Sequence, residues 1–288
     1  MARIIGGIGT THVPAIGGAI AKHLENTPYW KPFFDGFNAV HRWLNRERPD
    51  VVVVFYNDHG LNFFLDKLPT FAVGAAQEYR HADEGWGLPV SAPYPGDPEL
   101  SWHIINTLVA AEFDVTMCQE MTVDHAFTIP LSLLWPGAAR PVRTIPIAIN
   151  TVQHPLPSPA RCFRLGQVVG AALESYLTNE KIVVLGTGGL SHQLDGTRAG
   201  FINKEFDLMC LDKLVNEPEA LTCYSPLDIV EQAGSQGVEL LNWIAMRGAL
   251  TGRVSKLHSN YHIPISNTAS AVLLLQNEAG AATYRKAG

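Results

Sequence analysis

Two histidines each follow an apolar run that is typical of a buried strand. His12 comes shortly after the run at residues 4–8, and His59 follows Val51–Tyr56. Strand ends in an α/β sheet point into the crevice where ligands bind. Glu239 is the candidate third ligand, because its neighbours are mostly apolar and a buried acid must be paired or bound to a metal. Two histidines and one carboxylate on one face suit non-heme Fe(II) oxygen chemistry.

Two further histidines, His125 and His192, also come shortly after predicted strands. A lone histidine is more often structural than a ligand, but four after separate strands favour a functional site. The glycines at residues 186–189 let the backbone approach a ligand closely. They also resemble a weak phosphate cradle, which lacks the Lys-Ser/Thr of a P-loop. Asp58 and Asp124 each precede a histidine, either as its anchor or as a loop cap.

The elements that must position these side chains alternate between strands and helices, as in a mainly parallel sheet covered on both faces. The sequence therefore predicts a three-layer α/β/α sandwich around a mainly parallel, possibly mixed, central sheet, with residues 1–288 as a single catalytic domain. The predicted strands are 3–8, 51–56, 113–117, 143–149, 182–185 and 271–275. The predicted helices are 30–46, 100–111, 161–176, 203–215 and a pair within 228–247 that is interrupted near Gly234. The Pro/Gly-rich segment 84–97 is a candidate active-site loop.

Composition narrows the function classes. The 288 residues are 47% hydrophobic and 17% charged, which indicates an ample core. The formal net charge of −6, without a basic run, argues against nucleic-acid binding. Four cysteines without CxxC spacing predict reduced thiols. We expect a cytoplasmic protein without a membrane span, since the sequence has no secretory leader and no apolar run of about 20 residues.

A set of short motifs extends along nearly the whole chain, and the set is far more specific than any one of its members. It comprises Thr11-His12-Val13-Pro14, Asn57-Asp58-His59, Pro69-Thr70-Phe71-Ala72, Ala82-Asp83-Glu84-Gly85, Val123-Asp124-His125, Pro130-Leu131-Ser132-Leu133, Gly186-Thr187-Gly188-Gly189-Leu190-Ser191-His192-Gln193 and Ile202-Asn203-Lys204-Glu205. With these motifs the sequence resembles the class III (type II) extradiol dioxygenases, the family of the protocatechuate 4,5-dioxygenase β chain and gallate dioxygenase.

The resemblance implies an Fe(II) enzyme that uses O2 to open a carboxylated catechol, such as protocatechuate or gallate, beside its hydroxyl groups. The expected product is of the muconate-semialdehyde type. The site residues that it implies are His12, His59 and Glu239 for the metal, His192 as the catalytic acid/base, His125 at the substrate hydroxyls, and Asn57, Ser266 and Asn267 for substrate binding.

The resemblance leaves partner and substrate open. A separate small α-type subunit and a homo-oligomer are both compatible with it, as are protocatechuate, gallate and 3-O-methylgallate. Two other classes of protein remain alternatives: a zinc hydrolase that uses the same three ligands with a metal-bound water, and a non-catalytic assembly subunit. The presence of all four histidines and Glu239 disfavours the assembly subunit, because a degenerate copy should have lost some of them.

Overall fold

The computed structural model describes residues 1–85, 89–137 and 142–278. Its strands are β1 Arg3–Thr10, β2 Val51–Tyr56, β3 Phe71–Gly74, β4 Glu78–His81, β5 Tyr94–Pro95, β6 Thr116–Cys118, β7 Thr122–Val123, β8 Arg143–Ile149, β9 Lys181–Thr187, β10 Val254–Ile265 and β11 Thr268–Asn277. Its α-helices are α1 Pro14–Ala21, α2 Lys31–Asp35, α3 Asn38–Glu47, α4 Pro98–Ala110, α5 His125–Leu134, α6 Pro159–Ser175, α7 Lys204–Asn216, α8 Pro226–Ala233 and α9 Leu240–Ala249. Short 3₁₀ turns lie at Gly196–Arg198, Pro218–Cys223 and Gly237–Glu239.

Within the described residues, eight strands form a mixed sheet in the order β10-β11-β1-β9-β2-β8-β3-β6. The four neighbours β1, β9, β2 and β8 at its centre pair in parallel. Antiparallel pairing joins β11 to β1 on one side and β3 to β8 on the other. The expected mainly parallel, possibly mixed sheet is therefore confirmed. A smaller sheet has the order β5-β4-β7.

Helices cover both faces of the large sheet. Every residue of β2 is buried, which matches its continuous apolar sequence. Alternate residues of β2 belong to two separate apolar cores: Val51, Val53 and Phe55 with side chains of α4, α6 and α9, and Val52, Val54 and Tyr56 with side chains of α1, α3 and α5. This arrangement confirms the three-layer α/β/α sandwich. In the part of the chain that the structure describes, no helix is long and apolar enough to cross a membrane.

The four parallel strands at the centre of the sheet determine where the predicted site residues lie. Because β1, β9, β2 and β8 are neighbours and run in the same direction, their carboxyl ends lie side by side along one edge of the sheet. The segments that follow them begin at residues 11, 188, 57 and 150. The histidines that follow β1, β2 and β9 therefore lie at one crevice.

Several elements differ from the sequence prediction. The predicted helix 30–46 is wrong as one helix, because α2 ends at Asp35 and α3 begins at Asn38. Strand β10 packs against this point: His258 Nε2 lies 2.7 Å from the Gly36 carbonyl oxygen, and a Cβ at Gly36 would lie 2.0 Å from Asn260 Nδ2. Helix α5 and the hairpin strand β10 were not predicted, since α5 contains Pro130 and β10 carries many polar residues. Residues 86–88 of the candidate loop 84–97 lie outside the described residues.

Helices α6 and α9 approach each other closely at Gly166. A Cβ at that position would lie 2.0 Å from the Ala245 carbonyl oxygen, a backbone atom that cannot turn aside. Gly18 in helix α1 offers the opposite situation, because a Cβ there would meet no atom within 4 Å beyond its own stretch of helix. The same substitution at the two positions therefore isolates the contribution of helix packing.

We expect Gly166→Ala to lower the free energy of unfolding by about 1–3 kcal/mol, because it forces α6 and α9 apart. Gly18→Ala should be neutral or stabilising by up to about 1 kcal/mol, since it improves helix propensity without a clash. Urea denaturation of both variants measures the difference. Equal midpoints for the two variants would contradict the packing assigned to Gly166.

Candidate active site

The carboxylate of Glu239 lies at the centre of the crevice. Glu239 ends the 3₁₀ turn that leads into α9 and is only 3% exposed, as its apolar neighbours predict. Its Oε1 atom lies 3.2 Å from His12 Nε2 and 3.6 Å from His59 Nε2. Its Oε2 atom accepts a hydrogen bond from the Gly189 N–H at 2.9 Å. The three predicted metal ligands are therefore brought together.

His12 is oriented by the neighbouring strand. Its Nδ1 atom is 3.2 Å from the hydroxyl of Thr187, the last residue of β9, which leaves Nε2 near Glu239. Although Glu239 Oε1 is 3.2 Å away, Nε2 makes no hydrogen bond with the described residues. A buried polar atom normally has a partner. The unsatisfied nitrogen fits a metal bound at this point, as does a donor set of two imidazoles and a carboxylate.

Asp124 orients the second ligand. His59 donates two hydrogen bonds to Asp124 Oδ2, one from Nδ1 at 2.9 Å and one from its backbone N–H at 2.8 Å. The other oxygen of Asp124 accepts from the Ala126 N–H and caps α5. Asp124 thus acts both as a histidine anchor and as a cap. Asp58 is a cap only, since its carboxylate accepts backbone N–H groups of residues 60–63.

The electrostatics of these groups favour positive charge between the carboxylates. Burial disfavours the charged form of His59, but Asp124 and Glu239 outweigh it and raise the pKa of His59 to about 10. Burial opposes ionisation of Asp124 as well, yet His59 lowers the pKa of that carboxyl to about 2. The pKa of Glu239 is held well below its ordinary value by His12 and His59, against the effect of burial. A metal cation bound beside Glu239 would be stabilised by the same negative charges of Asp124 and Glu239.

Two of the glycines before His192, Gly188 and Gly189, lie against Glu239. Gly188 has a φ of +134°, and a Cβ there would lie 2.6 Å from Glu239 Cβ. Only glycine lets the chain after β9 pass this close to Glu239 in that conformation. The next residue, Gly189, then donates its N–H to Glu239.

Asn57 lies between the ligands, held by a residue that sequence reasoning missed. Its Nδ2 atom is 3.4 Å from Glu239 Oε1 and 3.1 Å from His59 Nε2. Its Oδ1 atom accepts from Asn242 Nδ2, which also donates to the Thr187 carbonyl. A signal for Asn242 was present, because it lies three positions after Glu239 and is the one polar residue in the stretch 240–246.

The remaining two predicted histidines border the same crevice. His125 is the first residue of α5, and its ring stacks on that of His59 with centroids 4.1 Å apart. Both ring nitrogens of His192 are buried and lack a hydrogen-bond partner among the described residues. Burial lowers the pKa of His192, and the nearby imidazoles lower it further against the effect of Glu239. These effects favour the neutral form of the His192 imidazole.

Two groups of donor atoms lie close enough together to hold a metal. His12, His59 and His125 offer atoms within 4.8 Å of one another, and so do Glu84, Asp124 and His125. The carboxylates of the second group already accept hydrogen bonds from His59, Ala126 and His125. The first group contains the two predicted imidazole ligands, His12 and His59, and Glu239 contacts both of them.

The crevice opens into a cavity of about 540 Å³. Besides the ligand candidates, its described lining includes Val13, Pro14, Ala15, Asn57, His125, Thr151, Val152, His154, Leu156, Gly189, His192, Leu194, Val230, Ser235, Gln236 and Ser266. No lysine or arginine occurs in this described lining. The contribution of residues 151–156, which follow β8, was not predicted.

Ser266 and Asn267, which were both predicted to bind substrate, have different positions relative to the cavity. Ser266 and Asn267 form the tight turn between β10 and β11, with φ of 50° and 60°. Ser266 lines the cavity, whereas Asn267 is absent from its described lining. The side chain of Asn267 lies beside Gly200 instead, since a Cβ there would be 3.3 Å from Asn267 Oδ1.

A buried acid, Asp207, binds the residue that precedes His192. Asp207 is 1% exposed, and its Oδ1 atom accepts the N–H and the hydroxyl of Ser191 at 2.9 and 2.8 Å. Its Oδ2 atom accepts the Tyr261 hydroxyl at 2.7 Å. Burial raises the pKa of Asp207 to about 6, against the hydrogen bonds that favour ionisation. Asp207 thereby ties the segment before His192 to β10.

Comparison with known proteins gives the family. Residues 6–272 match the family described as the catalytic LigB subunit of aromatic ring-opening dioxygenase. The chain belongs to this family. The resemblance predicted from the motifs is thereby confirmed, and it covers all of the site residues described above.

Named relatives of this LigB-family chain include two dioxygenases. Gallate dioxygenase from Pseudomonas putida is 40% identical over 197 residues, which are 68% of this chain and 58% of that protein. A 2,3-dihydroxyphenylpropionate/2,3-dihydroxicinnamic acid 1,2-dioxygenase from Photorhabdus laumondii is 35% identical over 64% of this chain and 54% of that protein. The matched region thus spans little more than half of each relative. The crystal structure of the uncharacterized protein JW3007 from Escherichia coli K12 shares the fold, with a TM-score of 0.54 and 14% identity over 94% of this chain and 99% of that chain.

The raised pKa of Asp207 predicts a pH-dependent stability. Between about pH 4 and 6 the native state binds a proton at Asp207 more readily than the unfolded chain, whose Asp pKa is about 3.9. The stability from this group is therefore present below pH 4 and lost as the pH rises through about 6. From pH 4 to 7, we expect the stability of the wild type to fall by up to about 3 kcal/mol relative to Asp207→Asn.

Urea denaturation at a series of pH values measures this difference. The matched control is Asp212→Asn, which removes an exposed acid from the same helix. If the wild type instead gained stability over Asp207→Asn as the pH rises, the assignment of a raised pKa would be wrong.

Proposed function

We propose that this chain is an extradiol ring-cleaving dioxygenase that uses Fe(II) and O2 to open a carboxylated catechol such as protocatechuate or gallate. The observation that carries the proposal is the convergence of His12, His59 and Glu239 beside a cavity that also holds His125 and His192. Family membership and the names of the relatives support the same reaction class.

In this proposal residues 1–288 form a single catalytic domain that works in the cytoplasm. The four cysteines are free, in keeping with a reducing compartment. The product is of the muconate-semialdehyde type.

The ligands proposed for Fe(II) are His12, His59 and Glu239. Two imidazoles and one carboxylate leave open positions, where bound Fe(II) would bring the catechol oxygens and O2 together. The protein's part is to fix the imidazoles. Thr187 orients His12 and Asp124 orients His59, so that each presents Nε2 to Glu239. Such partners of metal ligands commonly influence metal affinity and activity about 10–100-fold.

His192 is the proposed acid/base. Its lowered pKa keeps the ring neutral at neutral pH, and its two nitrogens are buried without a partner among the described residues. A neutral imidazole accepts the proton of a catechol hydroxyl and returns it later in the reaction. His125, stacked on His59, is proposed to contact the hydroxyl region of the substrate.

Neutral donors are proposed to hold the ring carboxylate. The described cavity lining offers hydroxyls and an amide from Thr151, Ser235, Gln236 and Ser266, but no lysine or arginine. Asn57 remains a proposed substrate-binding residue at the inner end of the cavity, and Asn267 remains one through its position next to Ser266.

A partner chain is proposed to cover the outer end of the cavity. Val152 and Leu194, which line it, are 50% and 51% exposed. A separate small α-type subunit or a second copy of this chain would bury them.

Oxygen uptake by the chain, loaded anaerobically with Fe(II), tests the function. Protocatechuate, gallate and 3-O-methylgallate are compared in parallel, and the mass of the product is measured. We expect uptake of one O2 and a product heavier than the substrate by both oxygen atoms. Iron binding without uptake on any of the three would contradict the proposal for the chain alone and favour a required partner chain. Binding of zinc but not iron would favour the zinc hydrolase.

Two variants separate metal binding from proton transfer. We expect Glu239→Ala to lose iron, since it removes a ligand, and His192→Gln to keep iron while its kcat falls about 10²–10⁴-fold. Metal analysis after gel filtration, together with oxygen uptake, measures both effects. Normal turnover by His192→Gln would show that the acid/base is another residue.

A further inference from the structure

Both carboxylate oxygens of Glu84 accept hydrogen bonds from His125, which lines the crevice. Its Oε1 atom is 2.7 Å from His125 Nδ1, and its Oε2 atom accepts the backbone N–H of His125 at 2.7 Å. The side chains are 7% and 3% exposed, so water does not compete for these contacts. Glu84 belongs to the motif Ala82-Asp83-Glu84-Gly85, but none of the catalytic, metal-binding or substrate-binding roles given above is assigned to it.

The two contacts together fix the imidazole. His125 is the first residue of α5, so its backbone N–H has no partner within the helix and is available to Glu84. An ionised carboxylate only accepts hydrogen bonds, so the proton of the neutral ring lies on Nδ1. The remaining ring nitrogen, Nε2, is then an acceptor. Hydrogen bonds to an ionised group are about twice as strong as neutral ones, which makes this arrangement rigid.

A backbone hydrogen bond two residues before Glu84 helps to place its side chain beside His125. The Ala82 N–H donates to the Val123 carbonyl at 3.0 Å, which holds the segment before Glu84 against the strand that leads into α5. On the other side of the same helix start, Asp124 anchors His59. Two carboxylates therefore orient two stacked imidazoles, one proposed as a ligand and one facing the substrate.

We propose that Glu84 is a positioning residue that holds His125 as its Nδ1–H tautomer, with Nε2 presented to the hydroxyl region of the substrate. The inference rests on the proposed function for its consequence in turnover, but not for the tautomer itself. In the wild type His125 Nε2 then accepts a hydrogen bond from a catechol hydroxyl. Without the carboxylate, the ring can rotate or take the other tautomer, which offers the substrate a donor where it needs an acceptor.

Glu84→Gln tests the proposal, because it keeps the size of the side chain and removes the charge. Asp83→Asn is the matched control, since Asp83 is the exposed neighbour and, among the described residues, its carboxylate accepts a hydrogen bond from the Gly85 N–H and not from His125. The first measurement is long-range ¹H–¹⁵N NMR of the metal-free protein labelled at histidine, with the His125 signals assigned from a His125→Gln variant. We expect the Nδ1–H pattern of His125 in the wild type and in Asp83→Asn, and its loss in Glu84→Gln.

The second measurement is turnover of the Fe(II)-loaded protein. We expect the kcat of Glu84→Gln to fall about 10–100-fold, as for other residues that orient a functional histidine. Its iron content should be unchanged and its KM little affected, and Asp83→Asn should behave as the wild type. An unchanged His125 tautomer in Glu84→Gln, or an unchanged kcat, would overturn the inference.

Two outcomes keep the test decisive. If Glu84→Gln does not fold, Glu84→Asp replaces it, because a carboxylate one methylene shorter does not reach both N–H groups. Wild-type tautomer and wild-type kcat in Glu84→Asp would then overturn the inference. If the wild type oxidises none of the catechols but Glu84→Gln loses the Nδ1–H pattern, the positioning role stands while the proposed reaction fails.

Discussion

The burial of the Glu239 carboxylate is the constraint on which the site depends. An ionised carboxylate in the protein interior is strongly unfavourable unless it is paired and hydrogen-bonded. Here the Gly189 N–H, the Asn57 amide and the imidazoles of His12 and His59 surround it. These groups follow three neighbouring parallel strands, β9, β2 and β1. The register of the sheet is therefore a condition for tolerating the charge, so the fold and the site have the same requirement.

The start of helix α5 extends this arrangement. Asp124 caps the helix and anchors His59, while Glu84 pairs with the ring and the backbone of His125. Two backbone N–H groups that a helix leaves unpaired at its first turn are thereby satisfied by the same carboxylates that orient histidines. Local helix stability and the geometry of the crevice are linked through these two acids. Changes that leave the four histidines intact can still disturb the site.

Much of the architecture follows from the sequence, but not all of its boundaries. The apolar run of β2 and the helices on either side of Gly234 were predicted, because continuous apolar runs and glycine breaks are local signals. Helix 30–46 was predicted as one element, although the structure divides it at Gly36, whose carbonyl oxygen lies 2.7 Å from His258 Nε2 of β10. Helix α5 was missed because Pro130 argues against a helix locally, while nine of its ten residues are buried in the tertiary structure. Long-range packing prevails over local propensity in both cases.

The sequence by itself determined the chemical nature of the site: four histidines after strands, a glutamate among apolar neighbours, and the motifs of the LigB family. These are properties of residue type and local pattern. Only the tertiary structure decided that His12 and His59 turn Nε2 toward Glu239, and that Thr187, Asn242 and Glu84 support His12, Asn57 and His125. These partners come from segments up to 185 positions apart. Their contacts depend on the order of the strands and the approach of α9 and α5 to the sheet, which no local pattern encodes.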